Sequence, residues 1–430
     1  MNPLNALMRM DPAPDPDLLD PDMVDPDPDP LAAAPAPSQT LPLTTHLDVA
    51  RRLADLRAWT TAWRAEDRRL CQQLDGLNPN RRSDVLRGSQ IGGLRRQLAF
   101  QTAQQPIFLD PAAVRATGFS ALRAHLAPQY ARLGVAERHL WLTNLVFLLT
   151  PTLRTLIDKL DALRRYRSLG QARCLLLGGV SGAGKSSVLN WYASQARASV
   201  QERRNYVPVI KIDAPVSNRT PKPLFQRMLL ACGATLVRGD EEHHLQLLEL
   251  YVQRCGVELL VVDEVEHITQ PALRRRLLEL SNLTGVPIVC ASCNPVGWTM
   301  GDAEIQGRWN DYFALTQLTG ARLDAFLSLL DLLLPFDQDS WLGLRQVPDP
   351  HGEPVAGPAH FIEQWTDGIL REVMVLLLDA CRKALEARQP HLTVEILHQA
   401  WRDVKRAKVV NFLDHLRAHA GQQGEGGSDD

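Results

Sequence analysis

Residues 179–186 read Gly-Val-Ser-Gly-Ala-Gly-Lys-Ser, preceded by the apolar run LLLG and followed by a segment of helical character. This stretch narrows the fold of the chain more than any other. It meets the spacing G-x-x-x-x-G-K-[ST] at every fixed position, in the strand-then-helix setting that this phosphate-binding loop requires. A triphosphate needs several backbone N–H groups turned toward it, in a curl that β-carbons would obstruct, and Gly182 and Gly184 permit that curl. The helix expected to start near Lys185 adds the positive end of its dipole. Lys185 is expected to reach the β- and γ-phosphates of such a triphosphate, and the Ser186 hydroxyl to ligate Mg²⁺. Gly179, Ser181, Gly182, Ala183, Gly184 and Ser187 complete the expected cradle.

Around the loop the texture is that of an α/β domain. RCLLLGG, YVPVIKID, VELLVVDE and VPIVCAS are short runs rich in Val, Ile and Leu, with helix-like segments between most of them. Alternating buried strands and helices imply a parallel sheet covered on both faces. VELLVVDE ends in Asp263 and Glu264, two acids at the carboxyl end of a buried strand. There Asp263 would hold Mg²⁺ through water and Glu264 would polarise the attacking water; the plainer alternative is a pair of solvated acids. The tip of VPIVCASCNP offers Ser292, Cys293 and Asn294, of which Asn294 has the side chain best suited to orient a water or touch the γ-phosphate. A simple turn at Asn294-Pro295 is the competing reading. Arg308 stands just before the last expected strand, where an arginine can project into a neighbouring subunit's nucleotide, or lie plainly on the surface. Gly368-Ile-Leu-Arg371 opens a long amphipathic helix, and Arg371 there can turn back to the phosphates or be an ordinary arginine of the helix's first turn. No signature of the transporter-type ATPases accompanies the loop.

The remaining chain divides by composition. Residues 1–45 alternate Asp and Pro, holding eight aspartates and one arginine, and are expected to stay disordered. Residues 46–150 look like a helical N-terminal module, broken at Asn78-Pro79-Asn80. Residues 151–320 form the expected nucleotide-binding core, 321–418 an all-helical lid and 419–430 a flexible tail. Strands are expected to stop at Gly320, and HLWLTNLVFLLTPTLRTLIDKLDALRRY to be helical. The net charge of −2 hides an asymmetry, because beyond residue 45 there are 46 basic against 41 acidic side chains. That balance is compatible with a nucleic-acid partner and equally with an ordinary surface. No signal peptide is indicated and no apolar run is long enough for a membrane span, so no membrane partner is expected. Seven scattered cysteines fit reduced thiols in a cytoplasm. Cys290 and Cys293 form a lone CxxC, with core thiols expected rather than a metal site.

Loop, acidic strand end, polar strand tip, arginine before the last strand and G-x-x-R in a helical lid together resemble an AAA+ ATPase. Within that superfamily the chain resembles the TnsC/TniB group of transposition regulators. The residues that carry the resemblance are LLLGGVSGAGKSSVL, VIKIDAPVSNRTPKPLF, LLVVDEVEHI, LTGVPIVCASCNP and LTVEILHQAWRDVKRAKVVNFLDHLR, over roughly residues 150–418. The resemblance implies an AAA+ P-loop fold with a helical lid and a bacterial, cytoplasmic ATPase using ATP and Mg²⁺. It also implies a homo-oligomer, ring or helical filament, around double-stranded DNA, which links a target-selector protein to a transposase and is reset by hydrolysis. In that setting Arg308 would be the finger supplied in trans. The acidic leader, the CASCNP tip and residues 46–150 depart from the group's usual look. Lys222, in the loop after the second strand, and the Arg274-Arg275-Arg276 run are candidate DNA contacts, although a basic triplet on a helix is commonly a solvated face. Two other readings stay open: a helicase loader or other DNA-remodelling ATPase, and a nucleotide-gated scaffold with little hydrolysis.

Overall fold

The computed structural model describes residues 47–78, 80, 81, 84, 107–109, 111–144, 148–165, 173–196, 199–201, 204–216, 220–232, 234, 239–299, 307–309, 311–348 and 351–405. The acidic leader, the terminal VVNFLDHLRAH and the last ten residues lie outside them. The chain opens with helices α1 (Val49–Asp75), α2 (Pro111–Thr117), α3 (Phe119–Ala131), α4 (Val135–Asn144) and α5 (Pro151–Arg165). The α/β part follows as β1 (Cys174–Gly179), α6 (Lys185–Gln195), β2 (Val209–Asp213), α7 (Lys222–Ala231), α8 (Glu241–Arg254), β3 (Leu259–Asp263), α9 (Pro271–Thr284), β4 (Ile288–Ser292), α10 (Pro295–Thr299) and β5 (Asp311–Leu315). Helices α11 (Ala321–Leu333), α12 (Pro358–Thr366) and α13 (Leu370–Glu386) complete it, with residues 394–405 also helical.

The five strands are parallel, in the order β2-β3-β4-β1-β5. Period-two alternation sends their side chains into two separate cores. Leu176, Ile210, Leu260, Val262, Ile288 and Cys290 pack with α7, α8 and α9 on one face. Leu175, Leu177, Val209, Leu259, Val261 and Val289 pack with α5 and α6 on the other. Helix α5 shows why it belongs there: Leu153, Leu156, Ile157, Leu160 and Leu163 are all buried and recur at helical spacing, giving one apolar stripe. The order β2-β3-β4-β1-β5, with helices on both faces and the glycine loop between β1 and α6, is the AAA+ P-loop NTPase fold that the sequence led one to expect.

A third core joins the described N-terminal helices to the lid. Leu53, Leu122, Leu126, Tyr130 and Trp141 of the N-terminal helices are buried together with Leu327, Phe336, Val373 and Leu377 of the lid. Polar contacts reinforce the joint at the end of α11, where the last carbonyls of a helix lack partners. Tyr130 donates its hydroxyl to the Leu332 carbonyl (3.2 Å), and Trp141 its indole N–H to Leu333 (2.7 Å). Arg138 donates to Pro335 (3.0 Å), and Arg123 to the Asp331 carbonyl (3.0 Å). The described helices of residues 47–150 and the lid therefore share one interior, whereas the composition alone had presented them as separate modules.

Local differences from the sequence reading have local causes. The run from His139 to Tyr166 is interrupted, because Leu148–Leu149 forms a short parallel strand with Ile107–Phe108 before Pro151 opens α5. Strands also do not stop at Gly320, since Gln346–Pro348 and Pro354–Ala356 pair as an antiparallel hairpin within the lid. Both pieces are only two or three residues long, below what periodicity can register.

Candidate nucleotide site

The carboxyl ends of β1, β3 and β4 gather most of the residues singled out by the sequence. Gly182 and Gly184 hold φ values of +85° and +96°, which the loop's curl requires and a β-carbon would strain. Lys185 and Ser186 open α6, so the first backbone N–H groups of that helix point toward the loop. The Lys185 side chain is buried, with Nζ donating to the carbonyls of Gly179 (2.6 Å) and Val180 (3.0 Å) and lying 3.3 Å from Cys293 Sγ. It thus joins the loop to the tip of β4. Ser181, Ala183 and Ser187 fall within the same loop and first turn.

Asp263 ends β3 almost fully buried, and its Oδ1 accepts the Glu264 backbone N–H at 2.9 Å. Glu264 takes a left-handed backbone conformation, φ +56° and ψ +38°, uncommon for a residue with a β-carbon. Such a conformation persists where the surroundings over-determine it, often at functional sites. Its consequence here is geometric: the chain turns sharply after Asp263, and the Glu264 carboxylate is left about half exposed, with His267 Nε2 3.8 Å away. One acid is buried and fixed; its neighbour is presented. That division suits a carboxylate that steadies a hydrated ion and one that polarises a water.

The lid closes onto the loop through its own backbone. Arg371 donates its main-chain N–H to the Gly182 carbonyl at 3.0 Å. A β-carbon on Gly182 would stand 2.9 Å from Ile369 Cγ2 and 3.1 Å from Arg371 Cβ, so only glycine permits this approach. Gly368, with φ +65°, accepts a bond from Leu318 N–H (2.8 Å) that fixes the entry to α13 beside the end of β5. Arg371 is therefore brought to the site, its guanidinium well exposed.

Arg308 is not. It lies, half-buried, three residues before β5, and the register Leu175↔Asp311 to Gly179↔Leu315 puts it at the amino end of the sheet. It is close enough to Cys174, the first residue of β1, for its charge to bear on that thiol, which burial nevertheless pushes up to about 12. The length of β5 alone separates it from the loop by at least ~13 Å.

Asn294 takes the turn: its side-chain carbonyl accepts the Gly297 N–H at 3.0 Å, fixing the first turn of α10. The side chain of the β4 tip that reaches the loop is Cys293, exposed and beside Lys185. Its CxxC partner Cys290 is buried in mid-sheet, and burial with Cys174 nearby holds its thiol well above the usual range. The two sulfurs lie in different surroundings.

The four candidate DNA contacts stand in different surroundings. Arg274 is buried, donating to the carbonyls of Ile268 (3.1 Å), Thr269 (3.4 Å) and Trp298, with its guanidinium 4.8 Å over the Trp298 ring. It braces the acidic turn against α10. Lys222 is the first residue of α7 rather than a loop residue, and its ammonium is tied to the Gly239 carbonyl at 2.6 Å. Arg276 pairs with Glu241 (2.9 Å) and Glu279 (2.6 Å), which neutralise it. Arg275 is the exposed member of the run. Helical geometry explains the split, because Arg274 shares a face with the buried Leu277, Leu278 and Ser281. The residue that sequence reasoning passed over is Lys211 of β2, whose Nζ contacts Asp213 and lies 3.5 Å from Asp263 Oδ2.

The residues fit the groups implied. The curl at Gly182 and Gly184 is shaped to take a phosphate, with Ser186 in the first turn of α6 and Asp263 at the carboxyl end of β3. Among the described residues no cluster of three or more His, Cys, Asp or Glu side chains is arranged to hold a metal by itself. An ion here would lean on phosphate oxygens and the Ser186 hydroxyl, as Mg²⁺ does with nucleotides.

A family model described as an AAA domain matches residues 167–295. No curated protein matches the sequence. Among solved structures, the ORC1 protein of Aeropyrum pernix in complex with DNA is 17% identical over 61% of this chain and 66% of its own, with a TM-score of 0.43. Cdc6p of Pyrobaculum aerophilum is 16% identical over 59% of this chain and 67% of its own, at 0.43. The ADP form of the Aeropyrum pernix ORC2 protein is 15% identical over 58% of this chain and 66% of its own, at 0.39. The chain thus spans just under two thirds of the first of these proteins. Among the described residues no helix is long and apolar enough to cross a membrane.

Proposed function

We propose that this chain is an ATP-hydrolysing regulator of DNA transposition. It assembles as a homo-oligomer on double-stranded DNA, links a target selector to a transposase and is reset by hydrolysis. The observation that carries the ATPase reading is that Lys185 of the glycine loop and the acids Asp263 and Glu264 stand at the same, carboxyl end of one parallel sheet, with Arg371 bonded to the loop at Gly182. Transposition enters through the sequence resemblance over residues 150–418.

Each residue has a task its surroundings support. Backbone N–H groups of the loop and the start of α6 bind and orient the phosphates. Lys185, held by Gly179 and Val180, is already aimed along the loop and supplies positive charge to the β- and γ-phosphates. Ser186 and, through water, Asp263 would hold Mg²⁺, which neutralises charge on the phosphate oxygens. Glu264 accepts the proton of the attacking water from its exposed, strained position. That carboxylate favours turnover over a purely nucleotide-gated scaffold, which would need no such group. Arg371 reaches the phosphates from the lid, while Arg308 serves the site of the neighbouring chain.

The test is Lys185→Ala. The variant is expected to keep its fold but lose ATP binding, by at least about a hundredfold in affinity, because one charge-assisted contact to phosphate is worth ~1.5–3 kcal/mol and two phosphates are touched. Unchanged affinity for a fluorescent ATP analogue would remove the reading.

A further inference from the structure

We propose that Lys211 is a positioning residue for the metal. It acts as a resident counter-ion that keeps Asp263 from binding a divalent cation tightly, so that cation uptake depends on the phosphates. The proposal rests on the nucleotide-binding reading above and deepens it.

In the sheet register Lys211 pairs with Val261, and Asp213 pairs with Asp263. Residues two apart share a face, so Lys211, Asp213 and Asp263 stand together on the face covered by α5 and α6, the side of the glycine loop. The Lys211 side chain is only 11% exposed and Asp263 3%, whereas Asp213 is 58% exposed. Nζ of Lys211 contacts Asp213 and lies 3.5 Å from Asp263 Oδ2. The other oxygen of Asp263 already accepts the Glu264 N–H at 2.9 Å. Both carboxylate oxygens are thereby engaged, one by a backbone donor and one by a buried ammonium. The end of β2 is itself held in place, with Ala214 N–H bonded to the Asp263 carbonyl (2.8 Å) and Arg227 to that of Asp213 (2.6 Å).

An acid so engaged is a poor direct ligand and a good acceptor for water on an ion. A lysine within ~4 Å also repels an approaching cation, strongly at the reduced dielectric of a buried site. The two aspartates divide this lysine. Taking away the lysine should tighten the cation, and taking away the outer aspartate should leave the lysine wholly to Asp263 and loosen it.

The experiment titrates Mn²⁺ into the full chain saturated with a non-hydrolysable ATP analogue and follows loss of the free-ion EPR signal, a readout independent of turnover. Lys211→Met is expected to lower the Mn²⁺ dissociation constant about tenfold, and Asp213→Asn to raise it about threefold. Lys211→Arg should behave as wild type, since charge and not shape is at issue. A Lys211→Met protein that binds Mn²⁺ no more tightly than wild type overturns the proposal. So does a Lys211→Arg protein shifted as far as Lys211→Met. If circular dichroism shows that Lys211→Met fails to fold, Asp213→Asn decides by its sign, because its exposed side chain can change without disturbing the core. Tighter or unchanged binding there also overturns it. A wild-type chain that takes up neither analogue nor Mn²⁺ defeats the nucleotide reading and this proposal together, whereas analogue binding with unmoved Mn²⁺ constants defeats this proposal alone.

Discussion

The two ends of the five-stranded sheet differ in what they offer a nucleotide. At the carboxyl end Lys185, Asp263, Glu264 and Cys293 converge, and the lid brings Arg371 against Gly182. At the amino end Arg308 stands beside the start of β1, the full length of β5 away. No side-chain motion spans that gap, since an arginine reaches only about 7 Å from its Cα and the strands separate the ends by ~13 Å or more. On the reading proposed above, the site is completed by a second chain.

The largest expected effect tests that contrast directly. Arg308→Ala should bind ATP normally yet lose ~10³ or more in turnover, the scale of a transition-state arginine. Mixed with Lys185→Ala, which lacks nucleotide but keeps its own Arg308, it should regain activity in a steady-state assay with duplex DNA present. No recovery in a mixture shown to co-assemble would leave the amino end without a catalytic part. Next in size is Glu264→Gln, expected to keep ATP affinity and to lose ~10²–10⁴ in rate, the usual worth of a general base. Unchanged turnover would move the water-polarising role elsewhere on the carboxyl end.

The legible parts were those where chemistry fixes residue type at fixed spacing. The loop needed glycines at 182 and 184, and the apolar runs needed a parallel sheet, so loop, strands and the two acids could be read directly. Roles that depend on neighbours could not. Asn294 and Cys293 stand side by side in the sequence, and only the turn into α10 decides that Asn294 holds the turn while Cys293 faces Lys185. Lys211 looked like one polar residue in a strand, because its meaning comes from Asp263, fifty-two positions later, across a strand pair. The core that the described N-terminal helices share with the lid was hidden for the same reason: long-range packing leaves no local period.

Arg274 gives a smaller effect of a different kind. Its guanidinium ties Ile268 and Thr269, just beyond the acidic turn, to Trp298 of α10. Arg274→Met should lower stability by about 2–3 kcal/mol in denaturant unfolding, since it leaves buried carbonyls without their charged donor. An unaltered unfolding midpoint would mean that the carboxyl end needs no such brace.

The smallest expected effect belongs to Arg275, and it bears on where DNA lies relative to the two ends. Arg274 is buried and Arg276 pairs with Glu241 and Glu279, while Arg275 is the exposed member of the run on α9. If DNA runs along this helix, Arg275 meets a backbone phosphate and no base. Its removal then weakens unrelated duplexes alike and lowers the slope of log affinity against log salt by about 1. Stability should not move, because an exposed side chain away from the core rarely changes it by more than ~0.5 kcal/mol. The measurement is a fluorescence-anisotropy titration of two unrelated duplexes at several salt concentrations, with ATP present, for wild type and Arg275→Ala. An unchanged slope would take DNA off α9 altogether. A slope change confined to one of the two duplexes would mean base readout, which a platform accepting many targets should not show.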